Sequence, residues 1–126
     1  MNFRLRTSRY VEKQLKQLQA STQLTPNILA RLAVALSLRD PNPVSTELSD
    51  QNGLEFNRNT LTGQYDEIFK ALMAQHMGRS ITDSEYFPQL FNAHLERGVR
   101  YLVNEYKHAG NYDKFLINLF HLGATE

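Results

Sequence analysis

The sequence predicts a mainly α fold, a compact multi-helix domain with a short N-terminal β-strand. Five stretches place apolar residues at helical spacing. A Thr-Pro pair at Thr25 and Pro26 marks a helix start. Only two short stretches, NFRLRTS and GLEFN, alternate apolar with polar residues as strands do. At 126 residues, 41% of them apolar, one hydrophobic core is expected, so residues 1–126 are taken as a single domain. Residues 1–39 form a basic strand-helix-helix segment, 40–53 a polar loop, and 54–121 a short strand followed by three helices.

The first strand runs within Asn2 to Ser8. Phe3 and Leu5 alternate with Asn2, Arg4 and Arg6, so an extended backbone sets an apolar side against two guanidiniums. Three uses are open to that cationic side: a solvated edge, an arm that touches phosphates, or a ribbon that reads bases. Ser8 then caps a helix to about Ala20. With Arg9 at 0° and 100° per residue, Lys13 falls at about 40° and Lys16 at about −20°, whereas Val11, Leu15 and Leu18 fall between about 180° and 240°. Basic and apolar stripes therefore oppose each other. Glu12 is spaced to pair with Lys16.

In LTPNILARLAVALSL, Thr25 is the N-cap, Pro26 takes the first helical position, and Leu24 is placed to pack on Leu29 as a hydrophobic staple. Ile28, Leu29, Leu32, Ala33 and Leu36 supply the expected buried face. The prolines of Asp40-Pro41-Asn42-Pro43 stop the helix near Leu38. Leu54 to Asn57 reads as the second strand, and the first strand pairs either with it or with its own copy in another subunit.

Three further helices follow. They span Gln64 to Met77 on Tyr65, Ile68, Phe69, Leu72 and Met73; about Ser84 to Lys107 on Leu90, Phe91, Leu95, Val99, Leu102 and Tyr106; and Tyr112 to His121 on Phe115, Leu116, Leu119 and Phe120. Gly110 ends the second of these and Asn111 caps the third. Gly98 falls mid-helix, where it costs about 1 kcal/mol relative to alanine. It points to the close approach of another backbone, a neighbouring helix or a second subunit before a phosphate. Arg97 and Arg100 flank it and read as structural, with Glu96 spaced to pair with Arg100.

Several function classes find no support. Absence of cysteine excludes disulfides, thiolate catalysis and Cys-ligated metals. The six glycines are scattered, so neither a P-loop nor a dinucleotide fingerprint can be written, and no G-x-S-x-G turn marks a serine nucleophile. Glu105 and His108 have the Glu-x-x-His spacing of a di-iron helix but lack a second copy. His76, His108 and His121 lie near predicted helix C-termini, where imidazolium is favoured. No catalytic residue, cofactor or metal is expected. The longest apolar stretch, broken by Arg31, falls short of the roughly 20 residues of a membrane span, and no apolar signal region follows the basic start. A cytoplasmic protein without a membrane partner is expected.

The formal charge of +1 hides a division. Residues 1–39 hold seven basic residues against one acid, and the remainder holds seven against twelve. A basic first third favours a polyanionic partner. The competing reading is that the two parts neutralise each other within the chain or between subunits. Strand, helix, capped turn and helix within 38 residues make the N-terminal segment ribbon-helix-helix-like. In such modules a ribbon enters the major groove, and Asn2, Arg4 and Arg6 suit base edges. The amides around Asn27 and Ile28 are placed to meet a phosphate.

RLRTS (Arg4 to Ser8), LTPNILARLAVALSL (Leu24 to Leu38), NGLEFNRNTLTGQYDEIFKALM (Asn52 to Met73) and HLERGVRYL (His94 to Leu102) together resemble the DNA sulfur modification protein DndE family. The resemblance covers most of the chain. It implies a small, mainly helical, non-catalytic member of the machinery that replaces a non-bridging phosphate oxygen of bacterial DNA by sulfur. It further implies a homo-oligomer, with a tetramer favoured, that binds duplex DNA with a preference for nicked backbone. Sulfur delivery and redox work then fall to other proteins of the modification complex. A backbone target makes base reading unnecessary, so Arg4, Arg6, Arg9, Lys13 and Lys16 need only meet phosphates. The positions in RLRTS carry the family analogy; Lys13 and Lys16 rest on the helical wheel. Two alternatives remain: a ribbon-helix-helix transcriptional repressor and a protein-only scaffold.

Overall fold

Strand β1 (Arg4–Arg6) pairs antiparallel with β2 (Glu55–Asn57) of the same chain, setting Arg4 against Asn57, Leu5 against Phe56 and Arg6 against Glu55. The central pair is buried and its neighbours are exposed, as a period of two requires. The first strand therefore takes its partner from within its own chain. Phe3, expected on the apolar side, is 49% exposed. It lies just outside the ladder, where its carbonyl accepts the Arg58 amide at 2.7 Å. At the other end the Gly53 amide donates to Thr7 O at 2.8 Å. A Cβ on Gly53 would stand 2.1 Å from Ser8 O, so only glycine fits. The structure, a computed structural model, describes residues 2–48 and 50–124. The side chains of Tyr112 and of residues 120–124, among them Phe120 and His121, lie outside the described set.

Helix α1 (Arg9–Thr22) begins where Ser8 Oγ accepts the Val11 amide at 3.2 Å, and it buries Val11, Leu15, Leu18 and Thr22. Helix α2 (Pro26–Arg39) is capped by Thr25, whose Oγ1 accepts the Ile28 amide at 3.4 Å. Its buried face is Leu29, Ala30, Ala33, Val34 and Ser37, rotated from the expected one. Ile28 is exposed, and Leu32 and Leu36 are half-buried. Close packing explains the rotation, since the small residues of α2 face α5 (Phe91–Ala109). A Cβ on Gly98 of α5 would sit 1.7 Å from Ala33 O. The neighbouring helix is thus the backbone that Gly98 admits.

The long helix expected from about Ser84 is broken. Glu85–Leu90 form a kinked turn with Phe87 extended (φ −133, ψ 126) and a cis Phe87–Pro88 bond, and α5 starts only at Phe91. Pro88 has no amide to continue a ladder. Tyr86, Phe87, Leu90 and Phe91 all enter the core. A short α3 (Arg58–Leu61) and a 3-10 turn (Gly63–Tyr65) precede α4 (Asp66–Met77), where the sequence predicts only strand residues and one helix. α4 buries Phe69 and Met73 and leaves Ile68 and Leu72 exposed. Gly110, at φ 80, ends α5. The Lys114 amide donates to Asn111 Oδ1 at 2.9 Å to start α6 (Tyr112–Ala124), which buries Phe115. Apart from Ala93, the buried apolar residues of strands and helices form one cluster.

Candidate nucleic-acid interface

The core fixes the orientation of α1. With Val11, Leu15 and Leu18 turned inward, Arg9, Lys13 and Lys16 are left on the exposed face, as the wheel requires. Cβ atoms three and four residues apart on a helix are about 5–6 Å apart, so the three cations form one stripe. Lys16 Nζ pairs with Glu12 at 3.4 Å. Among the described residues no ion pair engages Arg9 or Lys13.

The strand cations stand differently. Arg4 Nη1 donates to Glu55 Oε2 at 3.0 Å and Arg6 Nη2 to Glu55 Oε1 at 3.4 Å, while Arg6 Nη1 reaches Gly53 O at 3.2 Å. Antiparallel register sets Glu55 directly opposite Arg6. One carboxylate therefore bridges two guanidiniums on the outer face of the ribbon. Asp50, at the end of the polar loop, accepts the Arg9 amide at 2.9 Å and places a negative charge at the start of α1. For Arg4 and Arg6 the Glu55 bridge is the neutralisation within the chain that the competing reading of the charge division expects. The Ile28 amide, expected to face a phosphate, donates to Thr25 Oγ1 instead.

Arg58 was missed by sequence reasoning. It is 4% exposed and opens α3 directly after β2. Its Nε and Nη2 donate to Asp66 at 3.1 and 2.9 Å, its Nη1 and Nη2 to Asp83 at 3.0 and 2.7 Å, and its Nη1 also to Asn2 O at 3.2 Å. A guanidinium has five N–H donors, and all five are taken. The ring of Tyr86 lies 5.2 Å and that of Phe87 5.0 Å from its central carbon. Burial pushes the Asp66 carboxyl up, but hydrogen bonds from Arg58, Thr62 and Tyr86 outweigh it and hold the group low. The hydrogen bonds that Arg58 donates to Asp83 lower the carboxyl and raise the guanidinium. Burial, followed by its bond to Asp66, raises Tyr86. Arg58, Asp66 and Asp83 line a cleft of about 950 Å³ together with Glu67, Lys70, Ser80 and Ser84, and the guanidinium has no donor left for a ligand there.

Arg97 closes a second node. Its Nε donates to Ser37 Oγ at 2.9 Å, its Nη2 to Ser37 O at 2.7 Å and Asp40 O at 3.1 Å, and its Nη1 to Asn42 O at 2.7 Å. It thereby ties α5 to the end of α2 and the start of the loop, the structural role expected of it. Tyr101 donates to Asp40 Oδ2 at 2.5 Å, the main cause of a lowered Asp40 carboxyl. Ser37 Oγ also lies 2.8 Å from His94 Nδ1. Both residues are buried, so this serine–histidine pair is closed to substrate. Burial, then the nearby His76 and Arg97, lowers His94 to about 3. Among the described residues no group of three His, Asp or Glu is placed to hold a metal ion, and no helix is long and apolar enough to cross a membrane.

Comparison with known proteins gives one consistent result. The family described as DNA sulphur modification protein DndE matches residues 4–110. The crystal structure of DndE from Escherichia coli B7A, involved in DNA phosphorothioation modification, is similar at 26% identity and a TM-score of 0.65 over 79% of this chain and 96% of that one. A glycine-to-lysine mutant of DndE is similar at 26% identity and a TM-score of 0.64 over 80% and 97%. No curated protein matches. The match from β1 to the end of α5 takes in both arginine nodes, the ribbon and the helix face described above, and the chain belongs to the DndE family of DNA sulfur modification proteins.

Proposed function

We propose that this protein is a non-catalytic accessory of DNA backbone phosphorothioation that binds duplex DNA through phosphate contacts along α1. Arg9, Lys13 and Lys16 supply the first contacts; Arg4 and Arg6 join when phosphates displace Glu55. The observation that carries this reading is the exposed α1 stripe, with Arg9 and Lys13 free of ion pairs among the described residues. Nicked duplex is preferred to intact duplex, as the family resemblance implies. The chain acts as a single domain and a homo-oligomer, with a tetramer favoured, beside the other proteins of the modification complex in the cytoplasm. The shared buried cluster supports one domain. An exposed apolar groove between α2 and α4, lined by Ile28, Leu32, Tyr65, Ile68 and Leu72, supports self-association.

Backbone contact is preferred to base reading because β1 pairs within its own chain and Glu55 engages the outward arginines that would read bases. The scaffold reading draws on that same Glu55 bridge, a neutralisation internal to the chain. Mobility shifts separate the three. A backbone binder loses affinity on every duplex sequence when Lys13 and Lys16 become alanine, with a shallower salt dependence. A repressor binds one operator and loses about 1–3 kcal/mol of base discrimination when Arg4 or Arg6 is replaced. A scaffold binds no duplex at physiological salt, and that result would remove the proposal.

A further inference from the structure

Arg100 belongs to the core helix α5, yet its guanidinium carbon lies 4.3 Å from the centre of the Tyr10 ring on α1. Glu96, one turn earlier, holds it at 3.6 Å. The same carboxylate accepts the hydroxyl of Ser8, the cap of α1, at 2.8 Å. Arg100 is thereby fixed to the start of α1 by a ring contact and a shared anion. On the wheel that sets Arg9 at 0°, Tyr10 falls at about 100°, beside Lys13 at about 40°. The cation over Tyr10 therefore continues the α1 stripe beyond Lys13 from a different element.

We propose that Arg100 is a further DNA-contact residue, a guanidinium held ready over Tyr10 for a backbone phosphate. This rests on the reading of α1 as the DNA-binding face. The Arg100 side chain is 54% exposed, so stacking orients it without covering it. Among the described residues no hydrogen bond occupies its donors. A planar fork whose position is already set loses less freedom on meeting a phosphate than a free lysine does. Glu96 balances the charge in the unbound protein as Glu12 does for Lys16.

The test is fluorescence titration of the full chain with a labelled intact duplex over a salt series, comparing wild type, Arg100→Ala, Arg100→Gln and Lys13→Ala. The Gln variant keeps a stem over the Tyr10 ring and removes only the charge. Each Arg100 variant is expected to bind several-fold more weakly and to lose about 0.9 from the log–log salt slope, as Lys13→Ala does. Should Arg100→Ala unfold, the slope of Arg100→Gln decides alone. Wild-type slopes in the Arg100 variants, with a reduced slope in Lys13→Ala, would overturn this inference and leave the α1 reading standing. No salt-dependent binding by wild type would overturn both.

Discussion

Arg58 is where a single side chain carries most structural weight. Removing it leaves Asp66 without its cation and Asp83 with only Lys70 at 4.0 Å. Breaking a buried pair from one side costs about 3–5 kcal/mol, and the partly solvated carboxylates set this case at about 3. Arg58→Ala should lose that much in urea unfolding. Arg58→Lys should lose most of it, because an ammonium cannot span two carboxylates with a planar fork. A loss under about 1 kcal/mol would contradict this role. His94 gives a pH-dependent counterpart. The unfolded chain binds a proton at a histidine of about 6.5, which the folded protein resists to about 3. Stability is therefore full above pH 6.5 and falls as pH drops toward 3, by at most about 1.4 kcal/mol per pH unit. Below about pH 4 the lowered carboxyls of Asp66 and Asp83 add to the loss. His94→Asn, which keeps a polar group toward Ser37, should flatten the decline between pH 6.5 and 4 in urea titrations across that range. An unchanged decline would clear His94 of the effect. Neither role was legible in the sequence: Arg58 meets carboxylates eight and 25 residues away on other elements, and no spacing rule joins them.

At the scale of elements, the packing of α2 on α5 depends on what Gly98 lacks. Gly98→Ala would drive a methyl into the Ala33 carbonyl, a backbone atom that cannot yield without parting the helices. A destabilisation of about 1–3 kcal/mol is expected, outweighing the roughly 1 kcal/mol that alanine gains in a helix interior. Thermal unfolding of the variant measures it, and an unchanged or raised midpoint would show that the helices have slack. Gly98 itself was legible, as were the caps at Ser8, Thr25 and Asn111, because a cap or a mid-helix glycine is a local signal. The rotated face of α2 was not. Its inward side was chosen by the closeness of α5, which prefers Ala30 and Ala33 to Ile28 and Leu36, and hydrophobic periodicity counts greasiness and ignores size. The start of α5 was misplaced for a similar reason. Apolar residues on both sides of Pro88 keep a helical rhythm, although the backbone between them is extended at Phe87.

For the whole molecule, the division between a basic first third and an acidic remainder resolves into local geometry. Part of the cationic charge is met inside the chain by Glu55 on Arg4 and Arg6, while Asp50 meets the backbone amide of Arg9. The α1 stripe stays outside that neutralisation at Arg9 and Lys13. The sequence placed the stripe correctly, because three buried residues on one helix fix the azimuth of all the others. It could not place Glu55, whose position depends on a strand register set across 50 residues of chain. The Glu55 bridge makes a prediction of opposite sign to the lysine variants. Glu55→Gln frees two guanidiniums and should strengthen duplex binding several-fold with a steeper salt dependence, read by the same titration. Weaker binding would show that the bridge orders the ribbon for DNA. The most direct measurement of the central claim is the salt dependence of affinity for a labelled duplex, intact and nicked, by wild type and by the Arg9→Ala/Lys13→Ala double variant. Wild type should bind both duplexes with a linear log–log fall and favour the nicked one, and the double variant should lose about 1.8 from the slope on each. Identical slopes for the two proteins would show that the exposed face of α1 does not meet the DNA backbone.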